Sequence, residues 1–359
     1  NEKGFASPAL VVDGIFGAKT TTAVKAYQAN NGLVADGLFG PKSFAKWGTT
    51  TGGTNTGSNS NCQPGWAFDP VTGVACGTGN SGQSGPVTAM VAATNPVSSV
   101  LVAGQATADL ARFTFTGSGT VSNLTLKRIG VSADSTLSNV YLFDGSTRLT
   151  DASSVSNNGQ ISFNIPAGIF TVSGTKTITV RSDIAAGSSG QTVGITLQSF
   201  TTAGSSAAVT ANISGNIHSI ASASLATVGA GTVTPSGATL NPGSGVTVWQ
   251  STLSIGNRDV LLKRLALRNV GSAPASAFQN FKLFVNGTQV ATAAGMDAMG
   301  YVTFDTSAAP VALASGSRVV RVDADIVSGA SRTVQFSLRQ AADVDFVDSS
   351  FGVNVSPTS

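Results

Sequence analysis

Histidine, cysteine and charge are all scarce in this chain. Its 359 residues include one His, His218, and two Cys, Cys62 and Cys76. Zinc-dependent or Cys–His chemistry needs several such groups brought together. His218 sits in GNIHSIAS, far from both cysteines, and reads as an ordinary strand or linker residue. No G-x-S-x-G elbow and no phosphate loop is present, so no enzyme is expected. Charged residues make up 10% of the chain, well under half the usual proportion in soluble domains. The net charge of +3 comes from scattered Lys and Arg. Without a basic run to track a phosphate backbone, nucleic acid is not an expected partner. No stretch of eighteen apolar residues occurs, so no membrane span is expected. The chain opens at Asn1 with neither Met nor a signal sequence and is read as processed or partial.

What is abundant is Gly, Ser, Thr, Ala and Val, a composition suited to short strands and many turns. A surface this poor in charge offers little electrostatic resistance to packing against copies of itself. From Val87 onward apolar residues alternate with polar ones. In LARFTFTG, Ala111, Phe113 and Phe115 share one face, and in NLTLKRIGV the Lys127-Arg128 pair shifts the phase, as a β-bulge does.

These segments recur. LTLKRIGV (124–131) returns as VLLKRLAL (260–267), NVYLFDGSTRLT (139–150) as NFKLFVNGTQVA (280–291), and GQISFNI (159–165) as GYVTFDT (300–306). KTITVRSDIAAGSSGQTVGITL (176–197) returns as RVVRVDADIVSGASRTVQFSL (318–338). The offset grows from 136 (124 to 260) to 142 (176 to 318), which indicates one domain duplicated with a small insertion. Asp144-Gly145 and Asn286-Gly287 each fall between two alternating runs, the signature of a type I′ hairpin turn. The expected fold is mostly β: two tandem immunoglobulin-like β-sandwiches, 87–221 and 222–359. The C-terminal SSFGVNVSPTS alternates Phe351, Val353 and Val355 and offers a strand that a neighbouring chain's sheet edge can accept.

Before the β region, 49–86 is flexible linker around a small loop closed by Cys62 and Cys76. A disulfide across a loop of about 15 residues contributes roughly 3 kcal/mol and implies an oxidising location; two buried free thiols are the alternative. The loop pattern C-x-x-G-x-x-F-x-x-x-T-G-x-x-C looks like that of modular bacterial surface proteins. Asp343, Asp345 and Asp348 in DVDFVDSS are the densest acidic cluster, a candidate Ca²⁺ site or else solvated carboxylates. Asp323 and Asp325 repeat the arrangement.

Residues 11–47 say one phrase twice: DGIFGAKT from Asp13 and DGLFGPKS from Asp36. Each is a glycine turn that launches a helix. Ala23, Val24, Tyr27 and Leu33 line one face of the first helix, which ends at Asn31-Gly32, with Thr20 placed to help start it. The doubled pattern resembles the peptidoglycan-binding domain 1 family over 1–48. The resemblance implies a small three-helix module that attaches an extracellular protein to the bacterial cell wall. Family members carry a helix before the first phrase, of which only NEKGF is present here. Asp13, Gly14, Phe16, Tyr27, Asp36, Gly37, Phe39 and Trp47 are the candidate peptidoglycan-binding residues, the aromatics serving as a glycan platform or as core. The expected protein is thus a structural surface-layer or filament subunit at the cell surface, with copies of itself and peptidoglycan as partners. The alternative is a monomeric wall-bound adhesin, or the non-catalytic part of a wall enzyme.

Overall fold

The computed structural model describes residues 16–39, 43, 86–239, 241–329 and 331–358. Residues 1–82 and 83–359 form two compact units. Asp13, Gly14, Trp47, Cys62 and Cys76 lie outside the described residues, so the disulfide reading does too.

In the first unit a helix runs from Ala18 to Asn30 and buries Val24, Tyr27 and Gln28. Its start differs from expectation: Gly17 is the N-cap, no side chain caps the helix, and Thr20 is already inside it. The end is as the Asn-Gly pair suggests, with Asn31 as C-cap and Gly32 left-handed at φ +68°.

The second unit is mostly β. In its first half, ten strands join one twisted sheet. The longest strand, Ala108–Ile129, changes partners along its length. Residues 108–121 pair with Phe170–Ile184, whereas 121–129 pair with Thr192–Thr202. Just before this exchange stand Gly117 and Gly119, whose φ values of +121° and +157° suit glycine. In the second half the same course is broken into two strands, Gly243–Gly256 and Val260–Asn269, with Asn257 left-handed at φ +66° between them. That break yields two separate six-stranded sheets.

Each half closes on its own apolar core. Phe115 anchors the first, with ring centroids 4.9 Å from Phe170 and 5.3 Å from Phe200, both edge-on. Phe278, Phe281 and Phe336 anchor the second, where residues from both six-stranded sheets meet.

The recurrence extends to polar details. Asp183 accepts from the Thr107 N–H at 2.8 Å and from Asn139 Nδ2 at 3.0 Å. Asp325 does the same with the Gly245 N–H at 2.8 Å and Asn280 Nδ2 at 2.9 Å. Asn139 and Asn280 are both left-handed, at φ +54° and +55°, a conformation that Asn tolerates when its side chain is bonded locally.

Three expectations are corrected in detail. The Val285–Thr288 hairpin has Asn286 and Gly287 as its central pair, both with positive φ, as a type I′ turn requires. In the first hairpin the paired residues are Asp144 and Thr147, so the central pair is Gly145-Ser146 and only Gly145 is left-handed. The bulge beside the Lys-Arg pair falls on Lys263 in the second half, but on Gln198 of the opposing strand in the first. Finally, the C-terminal segment does not stand free for a neighbour. Asn354–Val355 pairs with Phe346 and Val347, and Pro357–Thr358 lies parallel to Val228 and Gly229.

Candidate functional site

The doubled phrase explains itself around one buried amide. Gln28, on the helix launched by the first phrase, is 2% exposed. Its Nε2 lies 2.8 Å from Asp36 Oδ1, 2.8 Å from the Leu38 carbonyl and 2.9 Å from Ser43 Oγ. Its Oε1 accepts from the Gly37 N–H at 2.8 Å. One side chain therefore reads four positions of the second phrase: its Asp, its Gly, the Leu that follows and its Ser. Asp36 also accepts from the Leu38 N–H at 2.8 Å, an Asx turn. That backbone bond and the Gln28 amide hold the Asp36 carboxyl below its ordinary value.

Gly37 is required twice over. Its φ is +79°, and a Cβ there would sit 2.7 Å from Thr21 Cγ2. Tyr27 is core rather than platform: it is 3% exposed, and its hydroxyl donates to the Ser43 carbonyl at 3.2 Å. Phe39 is half-buried, its ring 5.8 Å from that of Tyr27. Among the described residues of this module, Phe16, Val34 and Leu38 are the exposed large apolar groups, at 55%, 83% and 70%. Sequence reasoning singled out Asp36 and Gly37 but missed Gln28, whose position one residue after Tyr27 was the available signal.

Residues 1–46 match the family model "Putative peptidoglycan binding domain". No curated protein matches the chain. Among solved structures, the chain is similar to a "putative membrane anchored protein" from Corynebacterium diphtheriae at 12% identity and a TM-score of 0.18, covering 76% of this chain and 57% of that one. It is also similar to the major capsid protein P2 of bacteriophage PM2 at 9% identity and a TM-score of 0.20, covering 67% and 98%. A third is the secreted serine protease VesC of Vibrio cholerae, at 13% identity and a TM-score of 0.16, covering 66% and 48%. The chain thus spans little more than half the length of the first of these.

The acidic cluster is not a cation site. Asp343, Asp345 and Asp348 neither converge nor stay solvated, because each is taken by its own arginine. Asp343 Oδ1 accepts from Arg148 Nε at 2.7 Å, Asp345 Oδ2 from Arg264 Nε at 3.0 Å, and Asp348 Oδ2 from Arg258 Nη1 at 3.0 Å. No group of three or more His, Cys, Asp or Glu side chains is placed to hold a metal among the described residues. Burial opposes ionisation of Asp348, yet the N–H groups of Ala226, Phe351 and Ser350, together with Arg258, hold its carboxyl below the ordinary value. Asp323 is likewise engaged, accepting from Thr247 Oγ1 at 2.9 Å and pairing with Arg321 at 3.1 Å.

His218 is fully buried. Its Nε2 faces the Leu110 carbonyl at 3.2 Å and its Nδ1 the Ser99 hydroxyl at 3.0 Å. That arrangement fits a neutral imidazole donating through Nε2 and accepting at Nδ1. Burial pushes its pKa below the ordinary value, with the Leu110 carbonyl opposing.

The pairing of Arg148 with Asp343 has a wider consequence, because it joins the two halves of the β unit. Arg148 also donates to the Tyr301 hydroxyl at 2.9 Å, and both partners of the ion pair are buried, at 7% and 1% side-chain exposure. Beside it, Tyr141 and Phe143 of the first half pack with Ala342 of the second. The second half has Gln289 at the position equivalent to Arg148, so this link belongs to the first half alone.

Proposed function

We propose that this protein is a non-catalytic structural component of a bacterial cell surface, held on peptidoglycan through residues 1–46. The observation that carries this reading is the family match over those residues, together with the Gln28 network that ties the second D-G-x-F-G phrase to the helix. No described helix is long and apolar enough to cross a membrane, which is compatible with attachment through the wall. In this reading the β unit is a pair of immunoglobulin-like sandwiches, at 87–221 and 222–359. The recurring Asp183 and Asp325 clamps and the two separate cores support a duplicated domain. Asp343, Asp345, Asp348 and His218 are each engaged in structural bonds, which favours a scaffold over a hydrolase. Residues 49–86 serve as the tether, with Cys62 and Cys76 joined outside the cell.

Assembly with copies of itself into a layer or filament is the finer part of this proposal. The low charge of the chain supports it. The uncharged edge strand Thr288–Ala293, paired on one side only, supplies the unsatisfied backbone groups that strand addition uses. Co-sedimentation with purified sacculi tests the attachment: the full chain pellets, and a chain lacking residues 1–47 stays in solution. Light scattering across a wide concentration range tests the assembly. A strictly monomeric protein that still pellets with sacculi selects the wall-bound adhesin instead.

A further inference from the structure

We propose that the cleft between the two halves of the β unit binds a small saccharide carrying a single carboxylate. This goes beyond the wall-binding reading and does not depend on residues 1–46. The cleft has a volume of about 440 Å³ and is lined from both halves, within the range of roughly 300–1,000 Å³ usual for small-molecule sites.

Its walls are fixed. The Ala106 N–H donates to the Asn354 carbonyl at 2.8 Å, and Asn354 Nδ2 donates to Thr107 Oγ1 at 2.7 Å. Thr107 is held at φ +42°, an unfavourable conformation for a β-branched residue. The second half has Gly245 at the equivalent place, with φ +63°. The first half thus keeps a strained hydroxyl where glycine would suffice, and that hydroxyl anchors the opposite wall.

Two groups in this cleft lack protein partners. Lys263, on the bulge, is half-buried and makes no ion pair or side-chain hydrogen bond among the described residues. Gln105 is 4% exposed. Its Oε1 accepts from the Val102 N–H at 2.6 Å, which leaves its NH₂ group without a partner among the described residues. Of the other charges lining the cleft, all but Asp305 are held in ion pairs. Arg181 pairs with Asp109 at 2.7 Å and Arg264 with Asp345 at 3.0 Å, and Asp305 accepts from the Ser307 N–H and hydroxyl at 2.9 and 2.6 Å.

The chemistry of the ligand follows. A half-buried lysine that makes no ion pair of its own can take one oxyanion. Three carboxylates around it repel a polyanion, and the polar rim of amide and hydroxyl groups suits a polyol. A hexuronate meets these requirements together.

Isothermal titration of the full chain with sodium glucuronate tests this, with glucose, acetate and citrate as comparison probes. Glucuronate is expected to saturate a single site, with each of the other three at least about tenfold weaker. Lys263→Met is expected to weaken glucuronate by about tenfold or more while the melting temperature is kept, and Lys263→Arg to retain binding. Absence of saturation, equal binding of citrate, acetate or glucose, or an unaltered affinity in Lys263→Met would overturn the proposal. A Lys263→Met chain that does not fold passes the decision to Gln105→Leu, which must also weaken glucuronate.

Discussion

At the scale of single residues, the chain's few charges act as internal fasteners. Arg148 shows this most clearly. Replacing it with Met leaves Asp343 buried without a counter-charge, which costs about 3–5 kcal/mol. Denaturant unfolding should show that loss, and Arg148→Met combined with Asp343→Leu should recover part of it. A loss below about 1 kcal/mol for the single change would mean that the pair contributes nothing net. His218 gives a prediction in pH. Its folded-state pKa lies below the unfolded value of 6.5, so the unfolded chain takes up the proton first. Stability is therefore full above that value and falls as the pH drops below it. Urea midpoints at pH 7.5 and 5.5 should diverge in the native chain and do so less in His218→Gln. An equally steep pH dependence in the variant would remove His218 as the cause. Neither residue's role was legible in the sequence. For His218 the sequence left strand and linker open, and the structure places it in a strand; Arg148 is marked only by its mismatch with Gln289, and Asp343 lies 195 residues further along the chain.

At the scale of elements, the doubled phrase and the β periodicity carried most of what could be read. The alternation around Phe113 and Phe115 reports a buried face directly, because strand side chains have a period of two. Turn chemistry was legible where Asn286-Gly287 stands, yet misplaced by one residue at Asp144-Gly145, since Asp144 pairs with Thr147 and leaves Gly145-Ser146 at the centre. The acidic cluster misled for a plain reason: strand alternation places carboxylates on a face but says nothing of arginines arriving from other strands. In the helical module, Gln28→Leu removes the donor and acceptor that hold Asp36, Gly37 and Ser43. Each buried group left unsatisfied costs about 1–3 kcal/mol. Calorimetry should show the helical transition lost or lowered while the β transition is unchanged; a shift in both would tie the two units together more closely than their separate contacts imply.

At the scale of the molecule, the proposed function assigns wall attachment to the small helical unit and a scaffold role to the larger β unit. The most direct test is sacculus co-sedimentation of two full-length variants side by side. Gln28→Leu, which undoes the helical module, is predicted to remain in the supernatant. Arg148→Met, which weakens only the junction within the β unit, is predicted to pellet like the native chain. The account is contradicted if Gln28→Leu still pellets, or if Arg148→Met is the variant that lets go.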